Sequence, residues 1–153
     1  MKESIYTIPI SEVFEPKDGC PLCRLRDTLE ERAVEYILGA AMMEPDVREE
    51  TNRLGFCRRH FDMMLARKNR LSIALMLESH LDYVSKELLT ARGSAPGRKG
   101  RSPAAELADN CYVCRKIDGV METMMSNLLT VWGRDVSFRE LYAEQPLLCC
   151  SHA

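Results

Sequence analysis

The cysteines constrain this chain more than any other feature, because six of the seven fall into one pattern that occurs twice. In the first half, Cys20-Pro-Leu-Cys23 is followed, after 33 intervening residues, by Cys57-Arg-Arg-His60. The first motif offers two thiols, and the second offers a thiol and an imidazole at the same spacing. Three sulfurs and one nitrogen are the donor set of a closed structural zinc site. The first predicted Zn²⁺ ligand set is therefore Cys20, Cys23, Cys57 and His60.

The second half of the chain repeats this pattern. Cys111-Tyr-Val-Cys114 is followed, after 34 intervening residues, by Cys149-Cys-Ser-His152. A shift of 91 residues superposes the two C-x-x-C pairs, which indicates an internal duplication. The second predicted Zn²⁺ ligand set is Cys111, Cys114, Cys149 and His152. The seventh thiol, Cys150, is interpreted as a passenger, although a one-residue shift would let it replace Cys149.

Apolar residues recur at three- and four-residue steps through both halves, and this period predicts an all-α protein. A long helix is expected after each C-x-x-C pair. Pro45 is expected to begin a short helix that Gly55 ends, and a further helix is expected from Arg58. Residues 1–19 are predicted to be extended or irregular, because Pro9 and other turn residues interrupt any helix.

Residues 91–104 form the clearest predicted linker, with three glycines, two prolines, four basic residues and no large apolar side chain. Such a composition does not fill a core. The predicted organisation is two tandem helical units, each stapled by a Cys3His zinc site. The first covers 1–90, the flexible basic linker covers 91–104, and the second covers 105–153. The second is predicted to be truncated, because the first unit continues about 30 residues past His60.

The composition and charge of the chain indicate in which compartment it is expected and which partners are disfavoured. With 46% apolar residues, 29% charged residues and a net charge of -2, the chain has the profile of a soluble globular protein. The sequence shows neither a signal peptide nor an apolar run long enough to span a membrane, so we expect a cytoplasmic protein. In a reducing compartment paired cysteines indicate metal binding more often than disulfides. The near-neutral charge argues against nucleic acid as a partner.

The four motifs that begin at Cys20, Gly55, Cys111 and Leu148 together resemble those of an uncharacterised bacterial family of helical proteins, a domain of unknown function. Members of that family carry C-P-x-C, G-[FY]-C-x-x-H, C-x-x-C and G-L-C-x-x-H in this order. The resemblance extends over nearly the whole chain. It implies the helical, metal-binding architecture and no particular activity.

Three functions are compatible with these motifs. The leading interpretation is a zinc-binding structural or interaction protein that is not an enzyme, because each set supplies four ligands and catalytic zinc keeps one position open. The first alternative is a thiol-based redox or metal sensor that releases zinc on oxidation. The second alternative is a nucleic-acid-binding zinc module. An iron–sulfur cluster stays open as the metal centre, whereas thioredoxin-type chemistry lacks its βαβ pattern.

His80 and one apolar helix face also have an expected role. His80 is interpreted as a surface or hydrogen-bonded interior histidine, since both ligand sets are complete without it. The truncation is predicted to expose part of an apolar face on the long helix of the second unit. Dimerisation is therefore expected to involve Met121, Met124, Leu128 and Trp132, and an unknown protein partner is the alternative to self-association.

Overall fold

The computed structural model describes residues 8–90 and 109–149, and within these ranges every regular element is a helix. Seven α-helices occur there: α1 Ile8–Phe14, α2 Pro21–Leu38, α3 Pro45–Leu54, α4 Arg58–Ala66, α5 Arg70–Thr90, α6 Tyr112–Arg134 and α7 Val136–Ala143. A short 3-10 helix, Ala40–Met43, lies between α2 and α3. The predicted all-α fold is confirmed for this part of the chain.

Helix α1 corrects the expectation that residues 1–19 are irregular. The helix forms in spite of Pro9 because the amides of the first turn have no intrahelical acceptor, so a proline costs nothing there. Ile10, Val13 and Phe14 are buried and recur at helical spacing. Burial of this apolar face is what holds a seven-residue helix that is too short to be stable in isolation.

Helices α3 and α5 form the packed scaffold beside Gly55. Helix α3 begins at Pro45, as predicted, and its buried residues Val47, Thr51 and Leu54 form one face that packs against α5. The Ser79 hydroxyl of α5 donates a hydrogen bond of 2.8 Å to the side-chain oxygen of Asn52 in α3. This pairing fixes the carboxyl end of α3, where the chain turns toward Cys57.

A second packed group surrounds Phe14 of α1. The rings of Phe14 and Phe138 meet edge to face with centroids 5.1 Å apart, and the ring of Tyr142 stacks on Phe14 at 5.8 Å. Both Phe14 and Phe138 are fully buried, and each buried ring contributes about 1.5–3 kcal/mol. The side chain of Gln145 donates a hydrogen bond of 2.7 Å to the Phe14 carbonyl. Helix α7 and the segment after it are thereby anchored to α1.

The chain divides into two compact units, one of Met1–Glu30 with Ile117–Ala153 and one of Glu31–Lys116. These units draw on both halves of the sequence, whereas the predicted division into 1–90 and 105–153 follows chain order. The predicted linker, 91–104, lies outside the described residues and stays a prediction.

The apolar face that was predicted to be exposed on α6 is partly buried. Met121 and Leu128 are only 8% and 5% exposed, whereas Trp132 and the neighbouring Leu129 are 45% and 65% exposed. The expectation is therefore wrong for Met121 and Leu128. Self-association stays a prediction that light scattering tests.

Among the described helices, none has both the length and the apolar character needed to cross a bilayer.

Candidate metal centres

The first candidate centre consists of Cys57, His60, Cys111 and Cys114, whose ligand atoms all lie within 4.8 Å of one another. Nδ1 of His60 is 3.2 Å from Sγ of Cys57, 3.3 Å from Sγ of Cys111 and 3.4 Å from Sγ of Cys114. The sulfurs of Cys57 and Cys114 are 3.9 Å apart. His60 and Cys111 are buried, and the other two are half-buried.

These separations fit four ligands of one tetrahedral ion. With Zn–S bonds of about 2.3 Å and a Zn–N bond of about 2.0 Å, the sulfurs would be about 3.8 Å apart and the sulfur–nitrogen edges about 3.5 Å. The observed edges, 3.9 Å between sulfurs and 3.2–3.4 Å from sulfur to nitrogen, lie within a few tenths of an ångström of these values. The cluster can therefore hold a metal ion with three sulfurs and one nitrogen.

The starts of two helices place these four ligands. Cys57 is the N-cap residue of α4 and His60 lies in its first turn, while Cys111 directly precedes α6 and Cys114 lies in its first turn. The Cys57 carbonyl accepts the Phe61 amide at 2.9 Å, so the helical hydrogen bonding begins at the ligand itself. The partial positive charge of a helix N-terminus is compatible with anionic metal ligands at both positions.

One backbone hydrogen bond joins the two motifs. The Tyr112 amide donates to the Gly55 carbonyl at 3.0 Å, so the residue after Cys111 is tied to the residue two before Cys57. Gly55 has a φ of 62° and a ψ of -158°, a region that is essentially restricted to glycine. The His80 ring lies directly over Gly55, and a Cβ there would be 2.8 Å from its Cε1 atom.

His80 is held by α3 and is not part of either cluster. Its Nδ1 atom lies 2.8 Å from the Asn52 carbonyl, which agrees with the prediction of a hydrogen-bonded interior histidine. Its ring supports the Gly55 turn from the side of α5.

The second candidate centre consists of Cys20, Cys23 and Cys149, whose sulfurs also lie within 4.8 Å of one another. The sulfurs of Cys23 and Cys149 are 3.5 Å apart. Cys20 directly precedes α2, and its carbonyl accepts the Arg24 amide at 3.2 Å, which repeats the arrangement at α6. The predicted fourth ligand, His152, lies outside the described residues, as does Cys150.

In the absence of a cation, the thiols of Cys114 and Cys23 favour their protonated forms, because the pKa of each is raised. Burial raises the pKa of Cys114 to about 12, and the neighbouring thiols of Cys111 and Cys57 add to the effect. The pKa of Cys23 is also raised to about 12, chiefly by its hydrogen bond with Cys149 and further by burial and Cys20. A divalent cation reverses this preference, because it binds the thiolates and replaces their protons.

The structure corrects the predicted grouping of the ligands. Both quartets were expected to be formed within one half of the sequence, but the pair Cys57 and His60 meets Cys111 and Cys114. The pair at Cys20 correspondingly meets Cys149 from the second half. The reason is that each motif supplies two of the four ligands. A motif from either half of the sequence can supply the other two. The contact from Tyr112 to the Gly55 turn, which motif spacing does not report, favours the crossed arrangement in the first centre.

Comparison with known proteins gives a family but no function. The model of the "Family of unknown function (DUF6062)" matches residues 1–153. No curated protein and no solved structure matches the chain.

Proposed function

Because the chain belongs to this family of unknown function, membership brings no activity with it, and we propose a function from the clusters themselves. The protein is a zinc-binding structural protein, not an enzyme, in which Zn²⁺ at two centres holds the helices together. The observation that carries this proposal is that the ligand atoms of Cys57, His60, Cys111 and Cys114 all lie within 4.8 Å of one another. For the second centre, the C-x-x-H motif supports His152 as the proposed fourth ligand.

The donor chemistry supports zinc over other metals. Thiolates combined with an imidazole select Zn²⁺ or an iron–sulfur cluster among the common metal centres. In an iron–sulfur cluster the ligands bind different iron atoms and are spread apart. Ligand atoms that lie within 4.8 Å of one another favour a single ion.

The number of ligands supports a structural role. Catalytic zinc has three protein ligands and an open position for water or substrate. Four protein ligands at the first centre close the coordination shell, so the ion is left to stabilise the fold. Small helical units gain most from such an ion, because binding contributes roughly 10–16 kcal/mol to folding in zinc peptides.

The surface near the first centre gives less support to nucleic-acid binding. Two of the basic side chains there pair with acidic ones: Arg58 lies 3.5 Å from Asp62, and Lys116 lies 3.9 Å from Glu50. Paired charges of this kind favour a solvated protein surface over a phosphate-binding stripe.

Metal analysis of the untagged protein by mass spectrometry tests the proposal. We expect two equivalents of zinc, and iron in place of zinc would contradict it. Cobalt substitution adds a check on the ligands, because tetrahedral Co²⁺ bound to thiolates absorbs in both the visible and the near-ultraviolet range.

Two matched double variants test the crossed ligand sets. Cys57→Ser combined with Cys111→Ser affects a single centre, so one equivalent of zinc should be retained. Cys20→Ser combined with Cys57→Ser affects both centres, so both equivalents should be lost. Ligand sets formed within each half would give the opposite stoichiometries, and this outcome would overturn the grouping without overturning zinc binding.

A further inference from the structure

The two centres differ in how their ligands are held. In the first, all four ligands lie at the starts of α4 and α6. In the second, Cys149 follows α7 at the end of a non-helical stretch that begins after Ala143. The hydrogen bonds of Gln145 to Phe14 and Leu141 anchor the beginning of this stretch, four residues before Cys149. Cys149 therefore differs from every ligand of the first centre in lying outside the start of a helix.

Two thiols of the second centre also lie close to each other, at the same degree of burial as Cys57 and Cys114 of the first. Sγ of Cys23 and Sγ of Cys149 are 3.5 Å apart, against 3.9 Å for Cys57 and Cys114 in the first centre. Both Cys23 and Cys149 are half-buried, whereas Cys20 is 8% exposed. A short rotation about the side-chain bonds brings two such sulfurs to bonding distance.

We infer that the second centre is a peroxide-sensitive site, at which Cys23 and Cys149 form a disulfide and the bound metal ion is released. The inference rests on the proposed function, since it requires a metal ion at this centre. The first centre keeps its ion under the same conditions, because its ligands are fixed on helix starts.

The oxidant is hydrogen peroxide or an alkyl hydroperoxide. One thiolate of the pair attacks the terminal peroxide oxygen, the O–O bond breaks, and water or an alcohol leaves as a sulfenic acid forms on that cysteine. The second thiolate attacks the sulfenic sulfur, the S–S bond forms, and hydroxide leaves to become water. Two thiolates and two protons are consumed for each peroxide reduced. The metal ion keeps its oxidation state and departs because two of its ligands are gone.

Zinc release from the intact, metal-loaded chain tests the inference. The protein is treated with hydrogen peroxide, zinc release is followed with a chromogenic chelator, and disulfides are mapped by alkylation and peptide mass spectrometry. We expect one equivalent to leave about tenfold faster than the other, since the closely spaced thiolates of Cys23 and Cys149, one of them outside a helix start, form a disulfide first. The fast phase should coincide with a peptide that links Cys23 to Cys149, and a dithiol reductant with added zinc should reverse it.

The Cys150→Ser variant is the matched control, because it removes the neighbouring thiol and leaves the three clustered ones in place. It should release zinc at the wild-type rate. Release of both ions together, no release, or a disulfide that joins Cys20 to Cys23 or involves Cys150 would overturn the inference. Protein that holds no metal before peroxide is added would overturn the proposed function instead.

Discussion

The backbone turn that leads into the first centre depends on Gly55. Its φ of 62° and ψ of -158° suit glycine, and the His80 ring occupies the space that any Cβ would need. We expect Gly55→Ala to lower the free energy of unfolding by about 1–3 kcal/mol through backbone strain, before the added clash with the ring. Chemical denaturation of the zinc-loaded protein measures this loss.

Gly119, within α6, provides the matched control. A Cβ at Gly119 meets no atom within 4 Å, so Gly119→Ala should stabilise the helix by about 0.5–1 kcal/mol. Equal effects of the two substitutions would contradict the role given to Gly55. Combining Gly55→Ala with His80→Ala separates the steric contribution from the backbone strain. Removal of the His80 ring relieves the steric clash and leaves the backbone strain in place.

For single residues, the sequence predicted which side chains are candidate ligands. It predicted their contacts only in part. Sequence patterns identified Cys57, His60, Cys111 and Cys114 as candidate ligands. They distinguished His60 from His80 because only His60 belongs to a C-x-x-H motif. The contact of His80 with Gly55 was not predictable, because it depends on the packing of α5 against α3. The residues next to His80 and Gly55 in the sequence do not indicate that contact.

Helix α7 is the element whose start is most clearly capped. Asp135 accepts hydrogen bonds from the amides of Ser137 and Phe138 at 2.9 and 3.3 Å. The Ser137 hydroxyl, at 2.5 Å, is the main reason why the pKa of Asp135 is lowered. Asp135→Ala removes this cap, so the thermal unfolding midpoint should fall by a few degrees.

Asp135→Asn is the control for this prediction, because asparagine caps helices about as well as aspartate. It should keep most of the thermal stability. A midpoint that falls as far in the Asn variant as in the Ala variant would show that charge, and not capping, is what matters at Asp135.

Helix periodicity predicted α3, α4 and the long helices because their starts and stops carry local signals such as Pro45 and Gly55. It missed α1, where Pro9 was interpreted as a helix breaker. That helix is held by contacts of Phe14 with α7, more than one hundred residues later in the chain. Contacts this distant in sequence override local propensity and leave no local pattern.

At the scale of the whole molecule, each centre joins residues from both sides of residues 91–104. A specific protease site inserted in that segment should therefore yield two fragments that stay together when cut. Both fragments contribute ligands to each metal ion, so they should elute together on gel filtration and separate when a chelator is added. Fragments that separate with their zinc still bound would show that each half holds its own ion.

The grouping of the ligands is the feature that the sequence could not decide. The intervals of 33 and 34 residues made the sequential arrangement plausible, and their similarity is what a duplication of the pattern predicts. A duplicated motif fits its own partner and the partner in the other copy equally well. Only tertiary contacts, such as the one from Tyr112 to Gly55, distinguish the two.

Crossed ligand sets also impose an order on biosynthesis. A ribosome delivers Cys57 and His60 and then, about fifty residues later, the thiols that complete their set. Cys20 and Cys23 emerge first of all, yet their partner Cys149 is translated well after the other quartet is complete. The earliest thiols of the nascent chain are thus the last whose cluster is completed.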